Sequence, residues 1–245
     1  MSIDKRTLSF HHICMDNFNT EYIMNKSLTF VITLFVILSF GHAATKQHMT
    51  DFVPKGYKVF ETIHGDVNKD GIEDRVLIIK GTNRKKIVKD KYLGKLDRNR
   101  RGIIVLIKNN GQYELALKNL TCFSSEHEDG GVYYAPDLSI DIKKGNLYVI
   151  YEHGRYGNWT YTFRNQNSNF ELIGFDASES NGPIIERETS INFLTKIKQE
   201  KVNTNENADS GEEVFTTTSE KIKVDKLLRL SDITDFDELD LLSKY

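Results

Sequence analysis

The stretch "GIIVLIKNNGQYELALKN", residues 102–119, decides the fold. Two apolar runs flank Asn109-Asn110-Gly111, and an Asn-Gly pair between such runs is the strongest short-range hairpin signal. The device repeats outward from there. "LSIDIKKGNLYVIYE" (138–152) turns at Lys144-Gly145-Asn146, and "WTYTFRNQNSNFELIGF" (159–175) turns over a longer Asn-rich stretch. In the latter, Trp159, Tyr161 and Phe163 alternate with Thr160, Thr162 and Arg164, a period of two that sends them to opposite faces of a strand. Upstream, "YKVFETI" (57–63) and "RVLIIKG" (75–81) read as two further strands. Successive hairpins predict a mainly β chain, an antiparallel meander forming a sandwich, an open barrel or a propeller-like sheet. The polar segment 203–213 reads as a flexible loop. After it, "KIKVDKLLRLSDITDFDELDLL" predicts one strand and a short C-terminal helix capped by Ser231 or Asp232.

The chain has 245 residues, 39% hydrophobic and 28% charged, with a net charge of −2. That composition excludes a wholly disordered polymer and gives no global attraction to one class of partner. The first 43 residues stand apart. Met24-Asn25-Lys26 precedes an apolar heart at 28–40, and small residues Gly41 and Ala43 follow. A bilayer span needs about 20 apolar residues, so this shorter run reads as a cleavable signal peptide over 24–43. The expectation is that translation starts at Met24, that 1–23 is an upstream start-site artefact, and that 44–245 is a single β-rich domain. Cleavage would remove Lys5, Arg6 and Lys26 together with Asp4, Asp16 and Glu21, leaving the net charge at −2. It would also remove Cys14 and leave Cys122 alone, so a fold in an oxidising compartment must be held by its core. No membrane span remains after cleavage, and the expected location is periplasmic or secreted.

Between the first two strands lies "GDVNKDGIED", residues 65–74. Counting from Asp66, side-chain oxygens fall at positions 1, 3, 5 and 9: Asp66, Asn68, Asp70 and Asp74. Ile72 at position 7 can add its carbonyl, and Gly71 at position 6 permits a sharp reversal. Oxygen donors without His or Cys suit Ca²⁺ rather than zinc or copper. The plainer reading is an Asx-rich turn that holds no metal. Position 12 is Leu77, so the bidentate Glu of an EF-hand is missing.

This spacing between two strands resembles the calcium loop of the FG-GAP repeats in integrin-alpha-like propellers. The resemblance implies that Asp66, Asn68, Asp70, the Ile72 carbonyl and Asp74 bind Ca²⁺. The Phe-Gly-Gly-Ala-Pro signature is absent, and "DASESNG" (176–182) is at best a faint echo of a second loop. The order of motifs over roughly residues 57–198 also resembles a group of secreted β-rich bacterial proteins, a likeness that implies export and brings no activity with it.

Other candidates remain. Residues 80–101, "KGTNRKKIVKDKYLGKLDRNRR", hold ten basic and two acidic side chains. They read either as a patch for anionic partners or, more plainly, as a solvated crossover loop, with no nucleic acid expected as partner. Cys122 reads as a buried small hydrophobe. Tyr133, Tyr134, His153, Arg155, Tyr156 and Trp159 form a candidate surface-binding set. The expected function is an exported, calcium-stabilised, non-catalytic β module that binds or scaffolds a partner in the envelope or outside the cell. The alternative is a calcium-dependent periplasmic or secreted hydrolase using Glu152 and His153, with Glu126, His127 or Asp137 converging on them.

Overall fold

The computed structural model describes residues 48–127 and 136–245. The signal-peptide reading of 24–43 and the candidates Tyr133 and Tyr134 lie outside the described residues. Thirteen strands account for most of the rest. The first sheet is built from β1 (Tyr57–Gly65), β2 (Asp74–Gly81), β5 (Arg101–Asn109) and β6 (Gln112–Phe123), in the order β1-β2-β5-β6. The second runs through β7 (Asp137–Lys143), β8 (Asn146–Glu152), β9 (Gly157–Gln166), β10 (Asn169–Asn181), β11 (Ile184–Asn192), β12 (Ile197–Asn203) and β13 (Phe215–Lys221) as an uninterrupted meander. Strands β3 (Ile87–Asp90) and β4 (Gly94–Asp97) pair only with each other. All pairings are antiparallel, and among the described residues no sheet closes into a barrel.

The turns explain the topology. Asn110 and Gly111 adopt φ of 49° and 81°, Lys144 and Gly145 54° and 70°, and Asn167 and Ser168 51° and 58°. Paired positive φ values match the twist of the flanking strands, and Asn and Gly reach them at least cost. One face of the first sheet and the inner face of the second share a single core. Val76, Ile78, Ile103 and Val105 join Leu147, Val149, Tyr151, Tyr161, Phe163 and Phe175 in it. The intervening residues Leu77, Ile79, Ile104 and Leu106 point the other way and are buried with Phe52 under the N-terminal segment. Both faces of β2 and β5 are thus covered. This is why their sequences read as unbroken apolar runs, whereas β9 alternates.

Two expectations need correction, and the faint echo of a second loop proves to be strand. Residues 80–101 are not simply a crossover loop, since they contain the β3–β4 hairpin. The "DASESNG" segment is no second calcium loop: Asp176–Asn181 is strand, paired with β11. The C-terminal stretch forms neither the expected strand nor an α-helix. The strand lies upstream, as β13, and the last residues are irregular, with a 3-10 turn at Leu230–Asp232 and turns closed by the Leu239 N–H on the Phe236 carbonyl (3.2 Å) and the Tyr245 N–H on the Leu241 carbonyl (3.2 Å). Short polar side chains compete for the backbone here, as Asp235 accepts the Asp237 N–H at 3.0 Å and Asp240 the Ser243 N–H at 2.9 Å. The segment is held instead by tertiary bonds. Asn119 Nδ2 donates to the carbonyls of Leu230 (2.9 Å) and Ile233 (2.7 Å), and the Phe236 N–H donates to the Cys122 carbonyl at 3.0 Å. Leu230, Ile233, Phe236 and Leu241 enter the shared core.

Candidate functional site

Gly65 and Asp74 are the last cross-strand pair of the β1–β2 hairpin, and residues 66–73 form the loop beyond it. Lys69 (φ 66°) and Gly71 (φ 82°) make the reversal. The loop is wound on one carboxylate. Asp66 Oδ1 accepts the N–H groups of Asn68 (3.2 Å), Lys69 (2.6 Å) and Asp70 (3.3 Å), and its Oδ2 accepts that of Gly71 (2.9 Å). Asp70 Oδ1 accepts the Ile72 N–H at 2.7 Å, and the Asn68 amide donates to Asp70 Oδ2 at 2.8 Å. Asp74 is wholly enclosed, accepting the N–H of Val67 at 2.9 Å and of Lys108 at 2.9 Å. Burial raises its carboxyl above the usual range. It outweighs the two N–H donors, and the charges of Asp70 and Asp66 add to the rise.

The loop also sits where the two sheets meet. A Cβ on Gly145, in the β7–β8 turn, would lie 2.3 Å from the Lys69 side chain, and one on Gly65 would lie 2.7 Å from Ile142 of β7. Tested against a hard cation, the donors fit in kind. All are oxygens, and each carboxylate has about four lone-pair sites, so bonds to N–H groups leave acceptor capacity. The carboxylates are not gathered round one point. Among the described residues no three His, Cys, Asp or Glu side chains form a metal-holding group.

A second charged cluster was not anticipated. Lys80 is 4% exposed, and its Nζ lies 3.1 Å from Asp97 and 2.5 Å from Glu126. Burial alone would lower its pKa, but the hydrogen bonds and charges of the two carboxylates overcome that and raise it. Partial burial would raise Asp97. The side-chain and backbone N–H groups of Asn99 and the Lys80 ammonium prevail and hold it down to about 2. Lys80 and the buried Arg101 both face the Phe60 ring, at 5.6 and 5.8 Å. The signal was present in the sequence, because Lys80 closes a run of buried apolar residues and needs a partner there.

The aromatic candidates do come together. His153 packs 5.2 Å from Tyr156 and 6.3 Å from Trp159, and Arg155 lies over Tyr156 at 5.7 Å. Tyr156 and Trp159 line a groove of about 310 Å³ whose other wall is Phe236, Leu239 and Leu242 of the C-terminal segment, with Glu179, Asp237 and Asp240 along it. The periodicity of β9 pointed to Trp159, but nothing in the sequence placed the C-terminal segment opposite it. Of the hydrolase candidates, Asp137 and Glu152 are direct cross-strand partners, both exposed. Glu126 and His127 lie instead at the Lys80 cluster, where His127 Nδ1 accepts the Asp97 N–H at 3.4 Å. Comparison with protein-family models, with curated proteins and with solved structures finds no match.

Proposed function

We propose that the protein is an exported, non-catalytic β module whose 66–74 loop takes up Ca²⁺, and which holds a partner in the envelope or outside the cell. The observation that carries this reading is the loop itself. Four oxygen-bearing side chains and a left-handed Gly71 sit at the corner where β1, β2 and the β7–β8 turn meet. A cation there would do no chemistry. Asp66, Asn68, Asp70, Asp74 and the Ile72 carbonyl would hold it, and it would offset the repulsion of three carboxylates within nine residues. The Tyr156–Trp159 groove supports a binding role, with an aromatic floor suited to apolar or ring surfaces and acids along its wall.

The test is calorimetry and thermal melting with calcium. Extracellular modules bind Ca²⁺ at around 10⁻⁴–10⁻³ M. At ten times such a dissociation constant, linkage adds about 1.4 kcal/mol, or about 4 °C in Tm for a domain of this size. Asp70→Ala should abolish the dependence, and magnesium should substitute poorly. No calcium heat at millimolar concentrations, with a melt indifferent to chelator, would reduce the loop to a turn. The Asp137–Glu152 pair favours a second reading, a hydrolase using Glu152 and His153. Its test is whether Glu152→Gln removes an activity found by screening ester, glycosidic and phosphoester substrates.

A further inference from the structure

The β3–β4 hairpin carries more charge than its fold requires. Residues 84–98 hold seven Lys or Arg and two Asp, a net of +5. Arg84, Lys85, Lys86, Lys89, Lys91 and Lys95 are all exposed. Lys89 and Lys95 are direct cross-strand partners. Like charges placed opposite one another destabilise a strand pair. The hairpin's own acids form no ion pair with these lysines among the described residues. Asp97 is engaged by Lys80, and Asp90 Oδ1 accepts the N–H groups of Tyr92 (2.7 Å) and Leu93 (2.8 Å).

The tip is apolar. Tyr92 is 85% and Leu93 74% exposed, the two most exposed large hydrophobic side chains among the described residues. They are presented by a formed turn, with Asp90 bonding both and Gly94 at φ 79° closing it. The base is anchored. Asn83 and Asn99 clasp each other, N–H to Oδ1 at 2.9 Å and Nδ2–H to carbonyl at 3.1 Å, and Leu96 is buried. A formed hairpin with an exposed apolar tip and a collar of lysines that make no ion pair among the described residues, Lys91 lying over the Tyr92 ring at 5.1 Å, is what a water–lipid boundary accommodates. The tip side chains leave water while the ammonium groups stay among anionic headgroups.

We propose that this hairpin docks the protein on an anionic lipid surface, Tyr92 and Leu93 entering the headgroup region and Lys89, Lys91 and Lys95 meeting lipid phosphates. A nucleic acid would satisfy the lysines. It would leave Leu93 with nothing to stack on, since backbone phosphates attract charge and bases stack on rings. The proposal stands apart from the calcium reading, because no residue of the 66–74 loop takes part.

The test places a fluorescent reporter at the tip of the full chain. In Tyr92→Trp, emission added over the Trp159 background should shift to the blue on vesicles of equal parts phosphatidylcholine and phosphatidylglycerol. It should be quenched when the acyl chains are brominated, and should do neither on pure phosphatidylcholine. Because the probe reads the tip itself, binding through any other part of the chain does not mimic the result. Adding Lys89→Gln and Lys95→Gln should weaken the shift roughly 30-fold in lipid concentration, at about 1 kcal/mol per lysine. High salt should weaken it too. An unshifted, unquenched probe on the anionic vesicles overturns the proposal, as does equal response on neutral ones. A matching shift on a single-stranded oligonucleotide, without bromolipid quenching on vesicles, overturns it in favour of nucleic acid.

Discussion

The Lys108 N–H donates to Asp74 Oδ1 at 2.9 Å across 34 residues of sequence, joining the mouth of the β1–β2 loop to the end of β5. With Val67 on the other oxygen, the enclosed carboxylate serves two backbone donors, one at the buried Val67 and one at the partly buried Lys108. Asp74→Ala strands both and is expected to cost about 3 kcal/mol in urea unfolding, with Asp74→Asn costing roughly half because one acceptor survives. Without calcium, the raised pKa means that the folded state holds this proton more tightly than the unfolded chain does. Its contribution is therefore largest in acid and declines as pH rises from the ordinary 3.8 through the folded value. The stability difference between wild type and Asp74→Asn should shrink over that range.

Asp97 behaves in the opposite sense. Its carboxyl is held down to about 2, against an ordinary 3.8, so its contribution is present above pH 3.8 and is lost as pH falls through 2. Allowing for screening at a partly exposed group, the loss should be about 1 kcal/mol. Asp97→Asn should lack this acid-sensitive component, as read from denaturant midpoints across the acid range.

Tyr151 is 1% exposed, and its hydroxyl is buried with no hydrogen-bond partner among the described residues. Its ring stacks on Trp159 at 5.6 Å, a contact that Phe would keep. Tyr151→Phe removes an unsatisfied polar atom and is expected to leave stability unchanged or raise it by up to about 1 kcal/mol. A loss greater than that in thermal melts would reveal a partner for the hydroxyl.

Gly157 opens β9 with φ 114°, and a Cβ there would stand 1.8 Å from the Ser178 carbonyl oxygen. Backbone cannot yield as a flexible side chain does, so Gly157→Ala should cost about 3 kcal/mol or more. Gly182, with φ 64° and open space around it, is the control, where Ala should cost about 1 kcal/mol. Equal losses at the two sites would refute the contact argument.

The meander was legible because its information is local. Asn110-Gly111, Lys144-Gly145 and Asn167-Ser168 each dictate a turn, and the alternation through Trp159, Tyr161 and Phe163 names the buried face. The loop's oxygen spacing was legible for the same reason. What failed depends on distant partners. Leu230, Ile233 and Phe236 carry no period that would reveal an irregular strap, since their place is set by Asn119 and Cys122 more than a hundred residues earlier. The β3–β4 hairpin was masked by its lysines, because Val88 opposite Leu96 is its only apolar cross-strand pair. Lys80, ending an apolar run, signals that it needs a partner, but that partner, Glu126, lies 46 residues away and is not legible locally.

The strap has a consequence for how the protein is made. Leu230, Ile233, Phe236 and Leu241 close the core shared by the two sheets, and they follow every strand of both sheets in the sequence. Domains generally fold as units once their residues are available. The shared core cannot close around Phe236 while that residue is still unmade, so the ten strands of β1, β2 and β5–β12 emerge before the segment that seals them. A nascent chain halted short of residue 230 should therefore remain protease-sensitive where a chain that includes the segment through Leu241 is resistant.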